Sequence, residues 1–152
     1  MKKLTLAILI TMALSSCCGT NKCDTAANAP QTENFGLSAE QMTDLLRPME
    51  LYIESGIKGN SEAARKAFAP LATISHMEGD TLITLPIQAL YDYYDTTGAQ
   101  ECSYELTACS VANDVAMIRI ESVFGQARFT DMFTLLKVGS EWQIVSKVFT
   151  VK

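Results

Sequence analysis

One carboxylate in the C-terminal third of the chain stands where it could do chemistry. Asp131 lies in FGQARFTDMFTLLKVGSEWQIVSKVF, residues 124–149, flanked by Phe129 and Phe133. Desolvation raises the pKa of a carboxyl in such surroundings and suits it to act as a general base or a neutral donor. The alternative is structural: Asp131 accepts bonds from a nearby hydroxyl or backbone group and ties the sheet to a helix. His76, the single histidine, shares a strand face with Ile74. It could serve Asp131 as acid, base or ligand donor, or be exposed or structural. Tyr52, Tyr91 and Tyr94 offer aromatic walls with polar tips, at a helical spacing that equally suits a core. Phe129, Phe133, Trp142 and Ser146 fall on the Asp131 face and complete a candidate ligand wall. Ser146 has no adjacent histidine, so a triad has no support. No pair of cysteines has CxxC spacing, which argues against structural zinc, and no motif asks for a cofactor.

The elements that must position these groups can be read from turns. Gly139-Ser140 is a two-residue turn between Val138 and Glu141. It pairs Lys137 with Trp142, Leu135 with Ile144, Phe133 with Ser146 and Asp131 with Val148. One face then carries Phe129, Asp131, Phe133, Leu135, Trp142, Ile144, Ser146 and Val148. Met132, Leu136, Val145, Lys147 and Phe149 fall on the other, where a one-residue slip would exchange the sets. Gly125-Gln126 joins the preceding strand, pairing Phe124 with Ala127 and placing Ile120 opposite Asp131. Two independent turns thus put apolar neighbours around one acid. A three-residue loop Ala112-Asn113-Asp114 sets Leu106 against Ile120 and Ala108 against Ile118; a two-residue turn would misalign the faces.

Upstream, Ser38-Ala39-Glu40-Gln41 is a capping box. The helix it opens buries Met42, Leu45, Leu46, Met49, Tyr52 and Ile53, with a kink at Pro48 or a break at Arg47. Gly56 and Gly59 end it. Asn60 or Ser61 caps a second helix holding Ala64, Ala67 and Phe68, stopped before Pro70. Thr73 to Met77 and Thr81 to Leu85 form a hairpin around Glu78-Gly79-Asp80. A third helix starts at Pro86 and runs to Gly98, with Ile87, Leu90, Tyr91 and Tyr94 on one side. The expectation is an α+β domain, a cone of three N-terminal helices packed on a strongly curved antiparallel sheet.

The N-terminus reads as an address. Lys2 and Lys3 precede an apolar run, Leu4 to Leu14, too short to span a bilayer as a helix. Leu14-Ser15-Ser16-Cys17 resembles a bacterial lipobox. That implies residues 1–16 as a lipoprotein signal peptide, with Cys17 lipidated at the start of the mature chain. Residues 17–36 read as a flexible tether, and 37–152 as the domain. The expected location is the cell envelope, lipid-anchored and facing the periplasm. The 12 basic residues include Lys2 and Lys3, against 17 acidic. Without those two the excess is seven negative charges, which disfavours nucleic acid. Cys18 and Cys23 fall in the tether; Cys102 and Cys109 share one strand, too far apart to bridge if it is continuous. The apolar outer sheet face, with Met132 flanked by Arg119 and Lys147, predicts a homodimer through the convex sheet.

Tyr52-Ile53, Gly59-Asn60 and Ala67-Phe68 resemble the start of the nuclear transport factor 2-like (SnoaL-like) superfamily. Phe129-Thr130-Asp131, Leu135-Leu136-Lys137-Val138, Trp142-Gln143-Ile144-Val145 and Lys147-Val148-Phe149 resemble its branch of putative lumazine-binding proteins. The likeness covers about Leu37 to Val151. Asn60 departs from the Asp frequent there, and both residues cap helices. The resemblance implies a cone-shaped α+β fold related to ketosteroid isomerase and cystatin, a pocket and frequent dimers, with little implied about chemistry. Three readings follow: a non-catalytic binder of an unknown small molecule, an isomerase, dehydratase or cyclase using Asp131 as base and His76 or a tyrosine as acid, and an interaction domain filled by its own side chains.

Overall fold

The computed structural model describes residues 36–152. The expected signal peptide, Cys17 and nearly all of the tether lie outside the described residues.

The capping box forms as its sequence dictates. Ser38 N–H donates to Gln41 Oε1 at 2.8 Å and Gln41 N–H to Ser38 Oγ at 3.1 Å, satisfying two donors that a helix start leaves free. α1 spans Ala39–Lys58. It is one element through Pro48, so of the two alternatives expected there the break at Arg47 does not occur; Pro48, Met49, Tyr52 and Ile53 all bury against the rest of the fold. Gly59 closes α1 in the left-handed region at φ 65°, its N–H donating to Ser55 O at 2.9 Å.

The second helix is shorter than expected. α2 is a single turn, Ala64–Ala67, and Phe68 already opens β1 (Phe68–Glu78), which passes through Pro70. Proline is accommodated because β1 loses register between Phe68 and Thr73. β1 turns at Gly79-Asp80 into β2 (Thr81–Pro86), and α3 (Gln88–Thr97) follows. The third helix follows the hairpin, as its place in the sequence indicates, but with α2 a single turn the expected set of three N-terminal helices is not formed. The chain ends in β3 (Cys102–Ala112), β4 (Val115–Phe124), β5 (Ala127–Val138) and β6 (Glu141–Val151).

The six strands form one sheet in the order β2-β1-β6-β5-β4-β3. It is mixed rather than wholly antiparallel, because β1 lies parallel to β6. The turns at Gly125-Gln126 and Gly139-Ser140 set the expected pairs: Phe124 with Ala127, Ile120 with Asp131, Leu135 with Ile144. Two bulges then change the faces. In β3, Thr107 is extra, and the connection to β4 is the two-residue turn Asn113-Asp114, with Asn113 at φ 56°. The bulge repairs the misalignment that the short turn would cause, and Cys109 rather than Ala108 faces Ile118. In β6, Val145 is extra between Ile144 and Ser146. Beyond it Phe133 opposes Lys147, and Asp131 opposes Phe149 instead of Val148.

The helix-facing side of the sheet holds the core. Ile118, Ile120, Phe133, Leu135 and Ile144 are at most 2% exposed, and Leu45, Met49 and Tyr94 close over them. Tyr52 of α1 makes edge contacts with Phe68, Tyr94, Phe124 and Phe133, with ring centroids 5.2 to 6.4 Å apart.

Candidate functional site

The bulge at Val145 builds the centre of the cone. In the bulge-free register Lys147 would face outward and Asp131 would be buried without a counter-charge. One extra residue instead turns Lys147 and Phe149 inward and Ser146 and Val148 outward. Val148 is 48% exposed, whereas Lys147 is buried. Its Nζ lies 2.7 Å from Asp131 Oδ1. Asp131 is fully buried. Its Oδ2 accepts from Ser122 Oγ at 2.5 Å and, at the long distance of 3.4 Å, from the Tyr52 hydroxyl. Oδ1 has neither hydroxyl nor backbone donor and depends on Lys147.

The ammonium is caged by rings. Lys147 Nζ stands 3.8 Å from the Phe149 centroid, 5.7 Å from Tyr52 and 5.9 Å from Phe129, a cation–π arrangement that offsets part of its lost hydration. Burial nevertheless pushes the Lys147 pKa below the ordinary lysine value, against the pull of Asp131. Burial, seconded by the Asp131 charge, raises the hydroxyl pKa of both Tyr52 and Tyr94 well above the ordinary tyrosine value. Tyr94 donates to the Tyr52 carbonyl at 3.0 Å, which fixes α3 to α1.

The expected site residues divide three ways. Asp131, Tyr52, Phe129 and Phe133 do meet at one place, with Ser122 and Lys147 added. Phe133 and Tyr94 are core, and Tyr91 is a buried platform for the Arg65 guanidinium, 4.3 Å above its ring. His76 is half-buried on β1, stacked on Phe149 at 4.8 Å, with Nε2 3.2 Å from Glu78 Oε1. It meets the cluster through that ring. Trp142 pairs with Lys137, six residues along β5 from Asp131 and so roughly 20 Å away. Ser146 is on the outer face, displaced by the bulge. Sequence reasoning missed Lys147. The signal was available: a buried acid with no cation on its face requires one, and Lys147 was one residue out of register.

A cavity of about 280 Å³ reaches this cluster at Ser122 and Phe129. Tyr104, Arg128 and Lys152 are among its other walls. Lys152 Nζ also meets Glu121 at 2.6 Å beside it. Asp131 itself does not line the cavity; Ser122 stands between. Among the described residues no group of three or more His, Cys, Asp or Glu side chains converges as a metal site, and no helix is long and apolar enough to cross a membrane.

The fold has well-matched solved relatives. A nuclear transport factor 2-like protein of unknown function from Shewanella baltica is 30% identical, with a TM-score of 0.70, over 76% of this chain and 97% of that one. A second, from Methylobacillus flagellatus, is 29% identical with a TM-score of 0.70, covering 78% and 97%. A ketosteroid isomerase-like protein from Erwinia carotovora atroseptica is 14% identical, with a TM-score of 0.58 over 75% and 98%, a likeness of fold alone. No curated protein matches the chain. The family model described as putative lumazine-binding matches residues 40–150. With that match spanning most of its length, the chain belongs to the putative lumazine-binding family, on a nuclear transport factor 2-like fold.

Proposed function

We propose that the protein is a non-catalytic small-molecule-binding domain whose ligand enters beside Ser122 and Phe129. The observation that carries this reading is the 2.7 Å contact between Lys147 and Asp131. A general base needs a carboxylate oxygen free to reach the substrate proton. Here one oxygen is taken by an ammonium and the other by Ser122 and Tyr52. The isomerase-like reading with Asp131 as base and His76 as acid loses its base by that pairing. What remains is a polar cluster behind an aromatic wall, suited to orienting a bound molecule through Ser122. In this reading the domain is held at the envelope by lipid on Cys17.

Native mass spectrometry of the protein purified gently from its host tests the reading. A bound compound of reproducible mass, recovered chemically unchanged after incubation and lost in Phe129→Ala, is the expected result. Conversion of that compound, or the same mass retained in Phe129→Ala, overturns it. Metabolic labelling with palmitate tests the anchor: Cys17→Ala should abolish the label and release the protein from membranes.

A second feature concerns assembly. Met117, Met132, Leu136 and Val148 are exposed side by side on the open sheet face, around an apolar hollow of about 530 Å³. Such a patch is costly in water. It favours a homodimer through this face, with Val148 taking the place expected for Phe149, and with Arg119 but not Lys147 at its edge.

A further inference from the structure

A second cavity is remote from Asp131. A groove of about 580 Å³ runs between α1, the connection from α1 to α2 and the β5–β6 turn. Its floor is apolar: Pro48, Leu51, Ala63 and Trp142, the one tryptophan of the chain, only 8% exposed. Its walls are charged, and some of that charge is already committed. Arg47 pairs with Glu50 at 3.0 Å, and Lys58 pairs with Glu54. Asp44, Glu62 and Glu141 have no ion-pair partner among the described residues; Lys66 is the one lining base without one.

Two polar groups beside the groove, one backbone and one side-chain, are left to solvent. Pro48 has no N–H, so the Asp44 carbonyl lacks the donor that any other residue would bring four positions on. The indole N–H of Trp142 has no acceptor among the described residues, although the side chain is nine-tenths buried and lines the groove. Lys137 stands over the indole at 5.9 Å, so the negative excess is modest and the apolar floor must supply the rest of any affinity.

We propose that this groove binds a short apolar peptide through its free amino terminus. The ammonium supplies N–H donors to the Asp44 carbonyl and positive charge to Asp44, Glu62 and Glu141. The first peptide carbonyl supplies the acceptor that Trp142 lacks, and the side chains cover Leu51, Pro48 and Ala63.

Because Trp142 is the sole tryptophan, its emission reports occupancy directly. The full-length protein in detergent is titrated with leucyl-leucinamide, and separately with the N-acetylated form, which keeps the shape and removes the charge. The expected result is a saturable emission change with the free amine, weaker by about tenfold or more on acetylation. A similar loss is expected in the exposed double variant Glu62→Lys/Glu141→Lys, whose circular dichroism should match the parent. No saturable change at millimolar peptide, an equal response to both compounds, or undiminished binding by the double variant overturns the proposal.

Discussion

Replacing Lys147 by methionine should be among the most damaging single changes in this chain, and the reason can be worked from geometry. At 2.7 Å, with the effective dielectric of about 20 that suits protein sites, the Coulomb attraction of the pair is about 6 kcal/mol. Desolvating each ion costs several kcal/mol, so the intact pair contributes little net stability. Its removal in halves is another matter. Lys147→Met keeps most of the packing against Phe149 and Tyr52 but leaves the Asp131 carboxylate buried with only Ser122 and Tyr52 as donors. Asp131→Asn leaves an ammonium with three rings and no anion. Each should cost about 3–5 kcal/mol. The double variant Lys147→Met/Asp131→Asn removes both charges and should cost far less than the two singles together. Urea unfolding followed by Trp142 emission and circular dichroism gives all four corners of the cycle. Singles that lose under about 1 kcal/mol, or a double variant that loses the full sum, would refute the claim that this pair is mutually compensating and buried.

Four other perturbations probe the frame around it. Gly59→Ala should prevent stable folding or cost several kcal/mol: the position has φ 65°, and an added Cβ would lie 2.0 Å from the Ala99 nitrogen, which thermal unfolding would show. Gly56→Ala should cost about 1–3 kcal/mol by the same assay, since its Cβ would meet the Phe124 ring at 2.5 Å and the Cys102 sulfur at 2.6 Å. The raised hydroxyls of Tyr52 and Tyr94 stabilise the fold fully below the unfolded tyrosine value of 10.0 and lose that contribution as pH climbs past it. Lys147, whose folded value is lowered, works the other way: stability rises with pH between that value and 10.5. The protein should therefore resist unfolding up to about pH 10 and weaken above it, with the Tyr52 and Tyr94 share of the tyrosinate absorbance appearing only as it unfolds; Tyr52→Phe should flatten the alkaline limb. Met132→Glu, on the exposed sheet face, should keep the native circular dichroism while converting a dimer to monomer by sedimentation, with apparent stability falling only by what the dimer contributes; a parent that sediments as a monomer refutes the interface.

What was legible in the sequence follows from which interactions are local. The capping box, the Gly59 and Gly98 stops and the glycine turns of the last three strands are decided within a few residues, and all formed as read. The errors came where a distant partner decides. Phe68 leaves the expected helix because β1 is drawn alongside β6, the last strand, where Phe68 pairs with Ile144, which helical propensity at Ala64–Ala67 does not foresee. The two bulges are harder still, since an extra residue in a strand leaves its alternation looking regular on either side. Val145 shows what decides such a choice. Without the bulge, Val148 would be buried, Phe149 exposed and Asp131 left unpaired; with it, Phe149 covers a lysine that neutralises the acid. The cost of an unpaired buried carboxylate, several kcal/mol, exceeds the cost of one disrupted ladder position. Electrostatics, not hydrophobic periodicity, therefore sets the register of β6 beyond Ile144. The same choice turns the centre of the cone from a place to look for a base into a neutral pair, with Ser122 as its outlet.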